Sequence, residues 1–296
     1  MSYQNTKKGP KRGVSIYSYA GEYGVTMTLE DMLSDMHDMG AKGLEILGNS
    51  HVLDYPHPSE AWLENWDRLI AKYDLIPVEY GHWVDSRLYK GRELTTEESV
   101  AMLERDFKIA NRLGFTILRT KLGVIDGTLT PVKNWREFIK RALPLAEKYN
   151  VRMCPEIHEP TILKSKMIDD YVEFIEQTGT KYFGLNIDFS VFRTRELSKE
   201  EKGDIDFGGR PMEHSKVEEI IPLLPYVYCC HAKFLKMTED FKEAVIPYEE
   251  IINVLQKHKW DGYLLSEYEG PYRSVPGYTS EQLRRQHIMM KRLLGE

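Results

Sequence analysis

Short runs of β-branched and apolar residues alternate along this chain with longer stretches whose apolar positions recur every three or four residues. Arg12 to Ser18 predicts a strand. Thr28 to Gly40 predicts a helix, because Leu29, Met32, Leu33, Met36 and Met39 fall at helical spacing. Gly43 to Leu47 reads as the next strand, and Ser59 as the cap of a helix through Tyr73. Strands follow at Ile76 to Tyr80, Thr116 to Thr120, Val151 to Ile157, Tyr182 to Asp188, Tyr226 to His231 and Gly262 to Glu267. Helices separate and follow them at Thr96 to Leu113, Pro131 to Tyr149, Lys166 to Gln177, Glu213 to Leu224, Pro247 to His258 and Thr279 to Leu294.

Eight β-then-α units with no Pro/Gly/Ser-rich linker predict an α/β fold of one domain, a parallel (β/α)8 TIM barrel spanning residues 1–296. Residues 1–11 read as a flexible leading segment. An open α/β sheet with a small second domain is the alternative, but no GxGxxG follows the first strand. The connection from Ser190 to Met212 is unusually long and carries Arg193, Arg195, a charged KEEKGD run and Gly208-Gly209-Arg210. A loop of that length after the sixth strand predicts a lid or a partner contact.

A parallel barrel buries its strands on both faces, so polar residues at strand C-terminal ends are where such folds keep their chemistry. The fifth strand ends VRMCPEIHEP, the sixth FGLNIDFS, the seventh VYCCHAKF and the eighth YLLSEYEG. Each sets one candidate metal ligand at or near its end: Glu156, Asp188, His231 and Glu267. They stand 32, 43 and 36 residues apart, about one βα unit each. Singly, each could be a helix cap or ion-pair member, and His231 a satisfied core histidine; together they point to one site above the barrel. Three carboxylates and an imidazole suit a divalent cation, Mn²⁺ first, with Mg²⁺, Co²⁺ or Zn²⁺ as alternatives. Without a cation, three like charges at a dry barrel mouth would repel.

Period-two alternation puts Cys154, Glu156 and His158 on one face of the fifth strand. His158 is thus a candidate general base, or else a hydrogen-bonding residue behind the ligands. Tyr17 and Tyr19 of the first strand, Glu45 of the second, Tyr80 and His82 of the third, and Arg119 and Lys121 of the fourth complete a substrate pocket. Lys121 either hydrogen-bonds a substrate oxygen or pairs with the acidic cluster. His51 and Trp83 serve as pocket walls or as packing.

Composition narrows the partners. Apolar residues make up 42% of the 296 and charged residues 29%, enough for a large core. A net charge of −6 and a pI near 5.9 provide no field for nucleic acid or an anionic membrane. No apolar run reaches the ~20 residues of a membrane span, and Lys7, Lys8, Lys11 and Arg12 precede no apolar signal core. A cytoplasmic location is expected. Cys154, Cys229 and Cys230 form no CxxC pair and read as buried thiols. Eighteen tyrosines suit a pocket for sugar hydroxyls.

From about residue 12 to 294 the chain resembles the xylose isomerase-like, sugar phosphate isomerase/epimerase barrels, which hold a divalent metal and move a proton next to a sugar carbonyl. Within that superfamily, SHVLDYPHPSEAW, CPEIHEPT, GTKYFGLNIDFSVF and SEYEG look most like the α-subunits of bacterial C-glycoside deglycosidases. Those are metal-dependent lyases that work with a small β-subunit and cleave the carbon–carbon bond between a 3-oxo-glucosyl unit and a flavonoid-type aglycone. The resemblance implies that Glu156, Asp188, His231 and Glu267 bind the metal and that His158 is the acid/base residue. A sugar or inositol-type isomerase, epimerase or dehydratase is the alternative. Isomerases of the ordinary family shuttle the proton between two carboxylates, whereas here Glu156 and Glu267 are taken up as ligands, leaving that work to His158 and Lys121.

Overall fold

Eight parallel strands close on themselves in chain order: β1 (Lys11–Ser15), β2 (Gly43–Leu47), β3 (Ile76–Gly81), β4 (Ile117–Thr120), β5 (Arg152–Ile157), β6 (Leu185–Asp188), β7 (Val227–Phe234) and β8 (Tyr263–Tyr268). The computed structural model describes residues 9–82, 91–122, 130–198, 201 and 213–296. β8 returns to β1 in register from Lys11 opposite Tyr263 to Val14 opposite Ser266, completing the predicted (β/α)8 barrel. The helices are α1 (Leu29–Asp38), the single turn α2 (Gly48–His51), α3 (Glu60–Tyr73), α4 (Thr96–Arg112), α5 (Trp135–Tyr149), α6 (Lys166–Thr178), α7 (Tyr248–Lys257) and α8 (Tyr278–Leu294).

The core has two shells, as barrel strands with side chains on both faces require. Val78, Ile117, Cys154, Cys229 and Leu265 fill the interior. A larger layer packs the strand exteriors against the helices, with Trp135 edge-on to Tyr171 at 4.8 Å and Phe174 edge-on to Phe183 at 5.5 Å. Helix starts are written locally: the hydroxyl of Ser59 accepts from Trp62 N–H, and Thr28 and Thr95 form capping boxes with Asp31 and Glu98.

Several predicted boundaries move. β1 stops at Ser15 and the chain turns into a 3₁₀ segment, Ile16–Tyr19. The crossover between β6 and β7, expected as a helix from Glu213 to Leu224, is a 3₁₀ helix over Val217–Tyr226, because Pro222 and Pro225 lack the N–H groups an α-helix needs. β7 continues three residues beyond His231. Of the leading segment, residues 1–8 lie outside the described residues, and Lys11 already belongs to β1. Most of the long loop, including the KEEKGD run apart from Glu201 and Gly208-Gly209-Arg210, also lies outside them, as does Trp83. Among the described residues no helix is long and apolar enough to cross a membrane.

Candidate metal centre

Strands β5 to β8 bring Glu156, Asp188, His231 and Glu267 together, one ligand atom from each lying within 4.8 Å of all the others. His231 Nδ1 stands 2.7 Å from Glu156 Oε1, 3.6 Å from Glu267 Oε2 and 4.0 Å from Asp188 Oδ2. Strand register produces this convergence. Asp188 pairs with His231 across β6 and β7, and Lys233 pairs with Glu267 across β7 and β8. Asp188 Oδ1 accepts the Ser190 N–H at 2.7 Å, which turns Oδ2 toward the cluster.

The donor set fits a divalent cation. Asp188 Oδ2 and Glu267 Oε2 are buried and accept no hydrogen bond among the described residues, although the Lys233 ammonium lies 3.1 and 3.3 Å from them. Three carboxylates and a ring nitrogen match the oxygen-rich preference of Mn²⁺ and Mg²⁺ while leaving Zn²⁺ and Co²⁺ open. Burial pushes the Asp188 carboxyl up to about 7, the charges of Glu267 and Glu156 adding to the effect and Lys233 opposing it. Burial acts the same way on Glu156, but Arg119 and His231 outweigh it and hold that carboxyl well below its usual range. His231 is driven the other way, since Glu45, Glu267 and Glu156 overcome the penalty of burying its charged form.

Arg119 of β4 joins the site as expected. Its guanidinium binds Glu156 Oε2 and, at 3.0 Å, Glu45 Oε1. Glu45 sits beneath the cluster, fully buried, with Oε2 3.1 Å from His231 Nε2. His158 follows β5, half-buried, its Nδ1 2.5 Å from the Glu159 carbonyl. Donation to that carbonyl leaves the lone pair on Nε2. Burial lowers the His158 pKa, with Glu156 opposing and Lys233 reinforcing the shift. Lys121 is half-buried just past the end of β4.

The other residues predicted for the pocket have partners of their own. Tyr80 faces the helices, its ring 5.8 Å from that of Phe115. His82 Nδ1 binds the buried Asp106 of α4, which also accepts from the Tyr55 hydroxyl at 2.8 Å and from Arg105. His51 is buried with Nδ1 3.0 Å from the Leu47 amide, and its ring lies 5.0 Å from that of Tyr23. Tyr19 donates to Asp35 of α1 at 2.7 Å, and Tyr17 carries the Arg273 guanidinium 4.6 Å above its ring.

Two members of the site were not predicted. Lys233 is buried with its ammonium 2.7 Å from Glu269 Oε2 as well as beside Asp188 and Glu267. It shares a strand face with His231, so continuing the period-two pattern of VYCCHAKF by one step would have found it. Glu79 of β3 is fully buried below His231, with Oε2 2.9 Å from Nε2.

The sequence pattern of the family described as Xylose isomerase-like TIM barrel matches residues 33–292. The chain is 24% identical to the 3'-dehydrocarminate deglycosidase alpha subunit of a Microbacterium species, over 97% of this chain and 96% of that protein. It is equally identical to the C-glycoside deglycosidase alpha subunit of Arthrobacter globiformis, over 100% and 96%. Similar solved structures include a sugar phosphate isomerase/epimerase of Parabacteroides distasonis, with a TM-score of 0.65 and 13% identity over 98% of this chain and 96% of the other. A Mycobacterium smegmatis barrel crystallised with magnesium gives a TM-score of 0.60 and 15% identity over 97% and 96%. At these identities the solved structures speak for the fold.

Proposed function

Since the chain belongs to the xylose isomerase-like TIM barrel family, we propose that it is a metal-dependent carbon–carbon lyase acting on 3-oxo-C-glucosides, the α-subunit of a C-glycoside deglycosidase. The observation that carries this reading is the convergence of Glu156, Asp188, His231 and Glu267 beside His158, in a chain aligned over its whole length with proteins named as deglycosidase alpha subunits. Those names, as alpha subunits, also support a partner subunit, which we take to be the small β-subunit.

Glu156, Asp188, His231 and Glu267 would hold a divalent cation, which would supply Lewis acidity toward the sugar oxygens. His158, neutral and with its lone pair on Nε2, takes the C2 proton, which the neighbouring carbonyl acidifies. The electron pair left at C2 forms a C1=C2 double bond as the C1–aglycone bond breaks. The aglycone, in its ring-keto form with the bonded carbon already protonated, keeps the bonding pair and leaves as a phenolate, which takes up the proton held by His158, so no oxidant or reductant is consumed. Arg119 holds the second oxygen of Glu156, and in this reading Lys121 donates to a sugar oxygen. Returning the proton to C2 instead would give isomerisation or epimerisation, so the fate of the C2 electron pair separates the two chemistries.

The test incubates the purified protein, with and without the small partner, with a 3-oxo-C-glucoside and with free 3-oxo-glucose. Aglycone release is expected, abolished by chelation and lowered about 10²–10⁴-fold by His158→Ala. Isomerisation of the free sugar without aglycone release would sink the lyase assignment, and aglycone release undiminished in His158→Ala would remove the base.

A further inference from the structure

Beneath the four converging side chains lies a second set of buried polar groups that the proposed chemistry leaves unused: Glu79, Asn186, Cys154 and Cys229. Asn186 Oδ1 accepts the His231 backbone N–H at 3.1 Å, which fixes the side-chain amide so that its NH₂ group faces Glu79. That amino group lies 3.2 Å from Glu79 Oε1 and 3.1 Å from Oε2. The thiols of Cys154 and Cys229 are each 3.4 Å from Oε1. Facing a carboxylate oxygen, which can only accept, each thiol is the donor. Every one of these neighbours therefore donates to Glu79, and Oε2 also faces the His231 ring nitrogen Nε2 at 2.9 Å. Glu45, 3.1 Å from the same nitrogen, makes no hydrogen bond to it and has Arg119 as its own partner.

We propose that Glu79 is the positioning residue of the metal centre: clamped by Asn186 and two thiols, it holds the Nε2–H of His231 and so presents the Nδ1 lone pair toward Glu156, Asp188 and Glu267. A ring nitrogen can bind a cation only when the proton sits on the other nitrogen, and a buried carboxylate behind the ring fixes that tautomer and raises ligand basicity. Three donors pointing at Glu79 from β5, β6 and β7 also keep the carboxylate from turning away. The inference rests on the metal-centre reading and is independent of which reaction the centre runs.

Glu79→Gln keeps the shape but must turn an NH₂ group toward one of these donors. Calorimetric titration of Mn²⁺ into metal-stripped protein is expected to give a Kd about 10–100-fold higher than the parent's, with part of the affinity recovered by Glu79→Asp. Magnesium-loaded parent is expected to show a downfield, exchange-protected imidazole proton, assigned by its loss in His231→Asn, and Glu79→Gln should lose that signal. If Glu79→Gln does not fold, Asn186→Ala carries the test, because releasing the clamp should weaken Mn²⁺ binding several-fold. Parent-like affinity in whichever variant folds overturns the positioning role while leaving the metal centre intact. A parent protein that binds no Mn²⁺ overturns both.

Discussion

Lys233 places a fixed positive charge beside the four converging side chains. Its ammonium touches Asp188, Glu267 and Glu269, and these carboxylates keep it charged against the cost of burial. A unit charge about 4 Å from a divalent ion costs ~2 kcal/mol even at the dielectric constant of water. Lys233→Met should therefore bind Mn²⁺ at least about tenfold more tightly, measured by chelator competition. Weaker binding would mean instead that Lys233 holds the carboxylates in place for the metal. The four converging residues were legible in the sequence because each interrupts an apolar strand near its end. Lys233 was not, because the seventh strand was ended at His231 when it runs to Phe234. Glu79 was missed for a different reason: the β2–β3 register shifts between Leu44 and Glu45, and Glu79 rather than Tyr80 turns toward the site.

At the scale of elements, helical periodicity located nearly every helix, and the errors have stated causes. Two prolines make the β6–β7 crossover a 3₁₀ helix, and the turn after Ser15 shortens β1. α4 shows how an outer element is tied to the barrel, since its Asp106 anchors His82 just past the end of β3. Its N-terminus is fixed by reciprocal bonds: Thr95 Oγ1 accepts from Glu98 N–H at 3.2 Å, and Glu98 Oε2 accepts from Thr95 N–H at 2.9 Å. Thr95→Ala should lower unfolding stability by about 1 kcal/mol in denaturant titration. Because the cap is exposed, a loss above about 3 kcal/mol would assign Thr95 a role beyond capping.

For the whole molecule, acid is the expected weakness. Burial pushes the His51 pKa from its ordinary 6.5 down to about 4. Above pH 6.5 neither state holds this proton. Between about 6.5 and 4 the unfolded chain binds it and the folded protein does not, so stability falls as the pH falls, by up to about 3 kcal/mol in total. In urea titrations over that window, the parent should lose stability more steeply than His51→Gln, by up to about 1.4 kcal/mol per pH unit. Equal slopes would show that His51 takes up its proton without unfolding.

The three thiols have one more consequence. Cys154, Cys229 and Cys230 are all buried, the first two inside the barrel against Glu79 and the third between the strands and the helices. The native chain thus offers no accessible sulfur to a maleimide dye, and a single cysteine engineered at Val25, 81% exposed in the loop after β1, would carry the only fluorophore. Such a reporter on the outer loops could follow the arrival of a second subunit in real time without first stripping the protein of its own cysteines.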